Sequence, residues 1–305
     1  MLAATSWNGQ TLVWDVQSSA SVVPKSATSQ DKPILCSEWS SDGSAVFTGG
    51  CDGAARLWDL ASGSSRQVGA HDGPIRHLSW IGQMNMLVTA SWDKSLRYWD
   101  LRSPTPAHTQ ALPERAYALS VQHPLLVVAC ADRSIQVFNL AQPQTPYKTL
   151  TSPLKFQTRC VACFPDTAGY LVGSVEGRVA VQHVEESMAA KNFTFKCHRD
   201  GAEVHAINSI SFHPQYGTFV TTGSDGGFSF WDKDTKQRLK AMQKTGAPIP
   251  CGAYNRDGSL YAYAVSYDWS KGHADHNPAS ARHHILIHAT QESEVKMRPR
   301  SATRR

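Results

Sequence analysis

The chain has 305 residues, seven cysteines and a formal net charge of +5 at pH 7. Length alone permits two domains, although closed all-β folds take up this much chain in one, and the mildly basic balance permits an acidic partner without demanding one. No run of 18 apolar residues is present to span a membrane, Met1 to Trp7 lacks the charged start and apolar core of a secretory signal, and an odd number of scattered cysteines favours a reducing compartment, cytosol or nucleus.

Taken in chain order, one phrase keeps returning. Ser6-Trp7-Asn8-Gly9 leads into Thr11-Leu12-Val13-Trp14-Asp15, and the pattern comes back at Gly49 to Asp59 and at Ala90 to Asp100. Worn copies stand at Ala131 to Asn139 and Gly173 to Val181, and a clean one at Gly223 to Asp232. The tryptophan or its substitute recurs at positions 14, 58, 99, 138, 181 and 231, spacings of 44, 41, 39, 43 and 50 residues. That is the period of a four-stranded propeller blade, and the phrase is the WD-repeat signature. Each copy reads as a hairpin: an apolar strand such as Val46 to Gly49, an Asp-Gly or Asp-Lys turn, then an alternating strand such as Ala55 to Trp58.

A seventh unit ends the series, with strands predicted at Ile249 to Tyr254, Leu260 to Val265 and His284 to His288, the last after a long polar loop from Trp269 to His283. The expected fold is all-β, a seven-bladed WD40 β-propeller over residues 1–290, followed by a basic, disordered tail over 291–305. Blade one starts at its second strand, so its inner strand and the N-terminal closing strand are missing, which leaves an open edge. The expectation is an incomplete gene product, a start at an internal Met, or another segment, such as the tail after Thr290, covering the gap.

Several residues invite chemistry. His71 with Asp93 and Trp99, and His198 with Asp225 and Trp231, suggest general acid–base groups, but a buried His–Asp–Trp brace explains them better, because buried polar groups must find partners. Cys160 and Cys163 form a CxxC inside a predicted strand, where thiols three residues apart point to opposite faces and share no metal. His273, His276, His283, His284 and His288 lack a fixed ligand period and read as a polar loop. No nucleophile elbow, phosphate-binding loop or His-Glu-x-x-His helix is present. The expectation is no catalytic residue, no metal, no cofactor and no enzyme, although a ubiquitin-ligase substrate receptor remains open for any such propeller.

The linking segments are more distinctive than the turns. Leu112 to Tyr117, Ser152 to Ala162, Gly173 to Ala180, Asn192 to Arg199, Phe228 to Asp234 and Ser266 to His273 together resemble the nuclear-pore mRNA export factor family of WD-repeat propellers, the Gle-two or RNA-export type, from Leu2 to about residue 290. The sister spindle-checkpoint propellers share Gly173 to Val179 and Lys196 to Arg199, whereas the segments at 228 and 266 look like the export branch. The resemblance implies a non-enzymatic scaffold at the nuclear pore and nuclear envelope, also found in the cytoplasm. It implies that a nucleoporin segment called the GLEBS motif, rich in paired glutamates, binds on the top face at positions matched by Trp7, Arg178 and Arg199, where guanidinium forks suit carboxylates.

The same resemblance implies an RNA or ribonucleoprotein surface at Phe195, Trp231, Lys233, Lys236 and Arg238, where cations track phosphates and rings offer stacking faces. Trp231 also sits at a repeat position that ordinarily packs, and Phe195 reads equally as core. The alternative role is a mitotic checkpoint scaffold that binds the GLEBS motifs of checkpoint kinases, with spindle proteins as partners. The tail from Lys296 to Arg305 carries five cations and no acid, which suits phosphate attraction or nuclear import.

Overall fold

The computed structural model describes residues 1–17, 21–279 and 281–297, and it is an all-β, seven-bladed propeller. The chain forms two compact units, Met1–Leu150 and Thr151–Arg305. In the first unit, blade one is β1 (Leu2–Thr5), β2 (Gln10–Val16) and β3 (Val22–Ser29), and blade two is β4 (Ile34–Trp39), β5 (Ala45–Gly50), β6 (Ala54–Asp59) and β7 (Ser65–Ala70). Blade three is β8 (Ile75–Ile81), β9 (Met86–Ser91), β10 (Ser95–Asp100) and β11 (His108–Ala111). Blade four is β12 (Ala116–Gln122), β13 (Leu125–Cys130), β14 (Ser134–Asn139) and β15 (Lys148–Thr151).

In the second unit, blade five is β16 (Thr158–Cys163), β17 (Gly169–Ser174), β18 (Arg178–His183) and β19 (Phe193–Lys196). A short hairpin of β20 (Arg199–Asp200) and β21 (Glu203–Val204) follows. Blade six is β22 (Ile207–Phe212), β23 (Phe219–Gly223), β24 (Phe228–Asp232) and β25 (Gln237–Ala241), and blade seven is β26 (Gly252–Tyr254), β27 (Leu260–Val265) and β28 (His284–Ala289).

The alternation of the sequence explains the meanders. Second strands such as β5, β13 and β17 are buried along their whole length because both faces are covered by neighbouring sheets. Outer strands such as β7, β19 and β25 alternate or are exposed. Successive sheets pack face to face through Phe47, Ile75 and Trp99 in the first unit, and through Phe164, Ile207 and Phe219 in the second. Each such side chain contributes about 1.5–3 kcal/mol of burial.

The inner strands share a device that the repeat does not advertise. In β4, β8, β12, β16 and β22 the register slips after the first residue. The residues thrown out of register are Leu35, Arg76, Tyr117, Arg159 and Asn208, all at the strand end beside the turn between second and third strands. A bulge bends the strand and re-aims the side chain it carries, and in three of the five strands that side chain is polar: Arg76, Arg159 and Asn208.

Blade one holds three strands with β1 at one edge, as the sequence predicts, and blade seven also holds three. The segment after Thr290 adds no strand among the described residues. It turns into one helical turn, α1 (Glu292–Val295), closed by a reciprocal capping box between Gln291 and Glu294. Val295 is 1% exposed within the core of blade six. The Thr218 hydroxyl donates to its carbonyl at 2.7 Å, and the Tyr216 hydroxyl donates to Glu292 at 3.0 Å. Residues 298–305, most of the predicted basic tail, lie outside the described residues.

Candidate interaction surfaces

The turn between β17 and β18 carries Arg178. Gly177 takes a φ of +60°, and a Cβ there would come within 2.8 Å of the Cys197 carbonyl, so a residue without a side chain fits this close crossing. The turn is braced from several sides. The Val175 N–H donates to the Gln157 carbonyl at 3.0 Å, the Cys197 N–H donates to Gly177 at 3.1 Å, and the Lys155 N–H donates to the Glu176 carboxylate at 2.9 Å. Arg199, at the start of β20, commits its guanidinium to the backbone: Nη2 donates to the Glu176 carbonyl at 2.8 Å and Nε to Gly177 at 3.4 Å.

Arg178 and Arg199 therefore meet at one turn with different surroundings. Arg199 clamps the turn, while Arg178 stands partly open to solvent with only a 3.7 Å approach of its Nε to Glu176. Directly across the β18–β19 ladder from Arg178 lies Lys196, and facing residues of an antiparallel pair share a side of the sheet. Trp7, the third residue matched by resemblance, belongs to the first unit. It tips the turn between β1 and β2 with 61% of its surface exposed.

The five residues expected to meet RNA gather on blades five and six. Phe195 of β19 tilts against Trp231 of β24, with ring centroids 4.8 Å apart. Each cation lies over a ring: Lys233 over Phe164 at 4.9 Å, Lys236 over Phe193 at 4.6 Å and Arg238 over Trp231 at 5.9 Å. A cation above a ring face is held by the ring quadrupole. Lys236 and Arg238 are exposed, whereas Lys233 is largely buried and paired with Asp234 at 2.9 Å. Sequence reasoning missed Phe193 and Phe164. The alternation of Phe193, Thr194 and Phe195 was a usable signal for the first, since period-two rings share one face of a strand. Phe164 reaches Lys233 only through tertiary packing.

Behind this surface stands a polar brace. The His198 imidazole joins Asp225 through Nδ1 at 2.8 Å and Thr221 through Nε2 at 2.8 Å, and the Trp231 indole N–H donates to the same Thr221 hydroxyl at 2.9 Å. Blade three repeats it with His71, Asp93, Thr89 and Trp99 at 2.7–2.8 Å. The expected His–Asp–Trp brace is thus a tetrad, with a second-strand threonine as the missing member. Burial opposes ionisation of Asp225, yet the His198 contact and the Gly227 N–H hold its carboxyl at about 2. Burial pushes the His71 imidazole below its ordinary range against the pull of Asp93. With both ring nitrogens engaged, these imidazoles serve as struts.

Cys160 and Cys163 are buried free thiols, and their places in the β16–β17 register put them on opposite faces. Among the described residues, no three His, Cys, Asp or Glu side chains gather as a metal site, and no helix is long and apolar enough to cross a membrane.

Residues 24–59, 62–100 and 190–232 match the family described as WD domain, G-beta repeat. The chain is 60% identical over 304 residues to Protein RAE1 of Arabidopsis thaliana, a match that covers 98% of this chain and 87% of that protein. It is 47% identical over 306 residues to the Poly(A)+ RNA export protein of Schizosaccharomyces pombe, covering 98% and 87%. It is 46% identical over 305 residues to the mRNA export factor GLE2 of Chaetomium thermophilum, covering 98% and 85%. With identity of this level running through all the blades, the chain belongs to the RAE1/GLE2 family of WD-repeat mRNA export factors.

Proposed function

We propose that this chain is a non-enzymatic interaction scaffold in nuclear mRNA export. It holds an acidic, GLEBS-type nucleoporin segment at the Arg178 turn and RNA or ribonucleoprotein on the basic, aromatic surface of blades five and six. It acts at the nuclear pore, with a cytoplasmic pool. The names of the relatives support the export role.

One observation carries the docking site: the facing pair Arg178 and Lys196. Like charges directly opposite in a sheet destabilise it, and Glu176 at 3.7 Å offsets this only in part. A carboxylate arriving from a partner relieves the repulsion and meets a guanidinium whose turn is already braced by Arg199. Preorganisation of this kind lowers the ordering cost of binding. For RNA, the exposed Lys236, Arg238 and Lys240 form a phosphate track beside the Phe195–Trp231 rings.

The test is calorimetric titration of the full chain with a GLEBS peptide. Arg178→Glu replaces attraction with repulsion, and the loss of a charge-assisted contact, about 1.5–3 kcal/mol, corresponds to at least a tenfold weaker Kd. Unchanged affinity in the variant removes Arg178 from the site.

A further inference from the structure

Within the first unit, between β7 of blade two and the end of β10 in blade three, lies a groove of about 630 Å³. Local chemistry opens it. β11 pairs with β10 only from Ser95 to Tyr98, and past that point the chain turns away. The Arg102 N–H donates to the Asp100 carboxylate at 3.1 Å, and the Ser103 N–H donates to the Asp100 carbonyl at 2.9 Å. Pro104 and Pro106 follow on the groove wall, and neither has an N–H with which to continue the ladder. Opposite them, Gly69 lies flat against Trp99, so no side chain rises from the floor.

The second wall is a free strand edge. β7 pairs with β6 alone, and an edge strand presents a row of backbone donors and acceptors. Arg97 already uses one of them: its Nη1 donates to the Ala70 carbonyl at 2.8 Å. Val68 is the extra residue of a bulge in β7 and is buried, which leaves Arg66 and Gln67 exposed along the edge.

The groove also carries charge. Three arginines and no carboxylate line it. Arg66 is exposed and, among the described residues, pairs with no acid. Arg102 meets Asp100 at 2.6 Å with 83% of its side chain exposed, and a pair so open to water is held weakly. Arg97 meets Asp72 at 3.3 Å and Asp93 at 3.5 Å, yet its Nε is buried without a hydrogen-bond partner. A single strand of nucleic acid gains little here, because it needs an open ring to stack on and Trp99 is buried. An extended peptide suits both walls at once. Its backbone pairs with the β7 edge, and alternate side chains, which share one side of a strand, bring carboxylates to guanidinium forks.

We propose that this groove docks an extended acidic peptide segment, which adds a fifth strand to blade two along β7 and sets its carboxylates on Arg66 and Arg102. The site is built wholly from the first unit and does not depend on the Arg178 docking reading.

The experiment selects binders from a displayed library of short random peptides. The bait is the full chain carrying Arg178→Glu, so that the Arg178 turn does not supply them. The selected pool is enriched in Asp and Glu at alternate positions. A synthetic peptide from that pool slows amide exchange from Arg66 to Gly69 and leaves the turn between β17 and β18 unchanged. Adding Arg66→Glu and Arg102→Glu to the bait weakens that peptide roughly tenfold, the loss of a charge-assisted contact. Methylating the peptide's backbone nitrogens abolishes binding. Urea unfolding confirms that the added substitutions, both at exposed positions, keep the fold. A pool without acidic enrichment, or a peptide that binds the doubly reversed chain as it binds the bait, overturns the proposal. A fully N-methylated peptide that still binds adds no strand and overturns it as well. An oligouridine probe that competes with the peptide and is lost with it on charge reversal assigns the groove to nucleic acid and overturns the proposal equally.

Discussion

Blades three and six carry the same tetrad and put its tryptophan to different use. In blade three, Trp99 is 2% exposed, because Gly69 of β7 brings bare backbone against it: a Cβ at Gly69 would lie 2.6 Å from the indole. Gly69 pairs with Ala55, the second residue of β6. The register-equivalent position in β19, paired with Val179, the second residue of β18, is Phe195. There the neighbour is a ring rather than a hydrogen, so Trp231 is only half-buried, with Phe195 tilted against it and Arg238 above it. One position in a neighbouring outer strand turns a packing tryptophan into part of a surface. A repeat position specifies the hydrogen bond that an indole makes, and the adjacent blade decides whether the ring faces core or solvent.

Three measurements sharpen or break that contrast. The largest effect is on stability. Trp99→Ala leaves a cavity in a closed core and costs about 3–5 kcal/mol in urea unfolding. Trp231→Ala costs less, about 1–2 kcal/mol, because a half-exposed ring removes less area from water. Equal losses in the two blades would mean that the Gly69 and Phe195 positions do not set burial.

The next effect is on pH dependence. His71, held neutral by burial, resists a proton that the unfolded chain accepts near 6.5, so its contribution is complete above 6.5 and is lost as pH falls below it. Asp225, held at about 2 against an ordinary 3.8, contributes fully above 3.8 and loses that contribution as pH falls toward 2. Thermal melting of the wild type against Asp225→Asn should therefore show a gap that narrows between pH 3.8 and 2. A gap of constant width over that range contradicts the tetrad's electrostatics.

The smallest effect on stability, within about ±0.5 kcal/mol for exposed positions, comes from Lys236→Glu combined with Arg238→Glu. RNA binding should nevertheless weaken, with a shallower salt dependence than the wild type. A double variant that binds oligouridine like the parent places the RNA surface elsewhere.

Much of the architecture was legible because a propeller is periodic. The Trp-Asp spacing, the Asp-Gly turns and the three strands of blade seven are local patterns, and short-range turn chemistry carries them. The three strands of blade one were legible for the same reason, since Leu2 to Thr5 already leads into the Ser6 to Gly9 turn. The site was legible only in part. Arg178, Arg199, Phe195 and the cations after Trp231 were named through resemblance, but nothing local says that Arg199 clamps the turn by its carbonyls while Arg178 is offered to solvent. Nor does spacing reveal Thr89 and Thr221 as the hubs of the tetrads, because a threonine in a second strand looks like any other β-branched residue.

The sequence by itself determined the blade, its turns and the order of its strands, because these follow from patterns within about forty residues. The tertiary structure alone decided which tryptophan is hidden, which arginine spends its guanidinium on the backbone of a turn, and where the buried Asp268 carboxylate finds its partners. The physical reason is the same in each case. Those outcomes depend on the neighbouring blade, on a bulge that re-aims Arg159 and Asn208, and on hydrogen bonds such as Asn208 to Asp268, whose partners lie sixty residues apart in the chain.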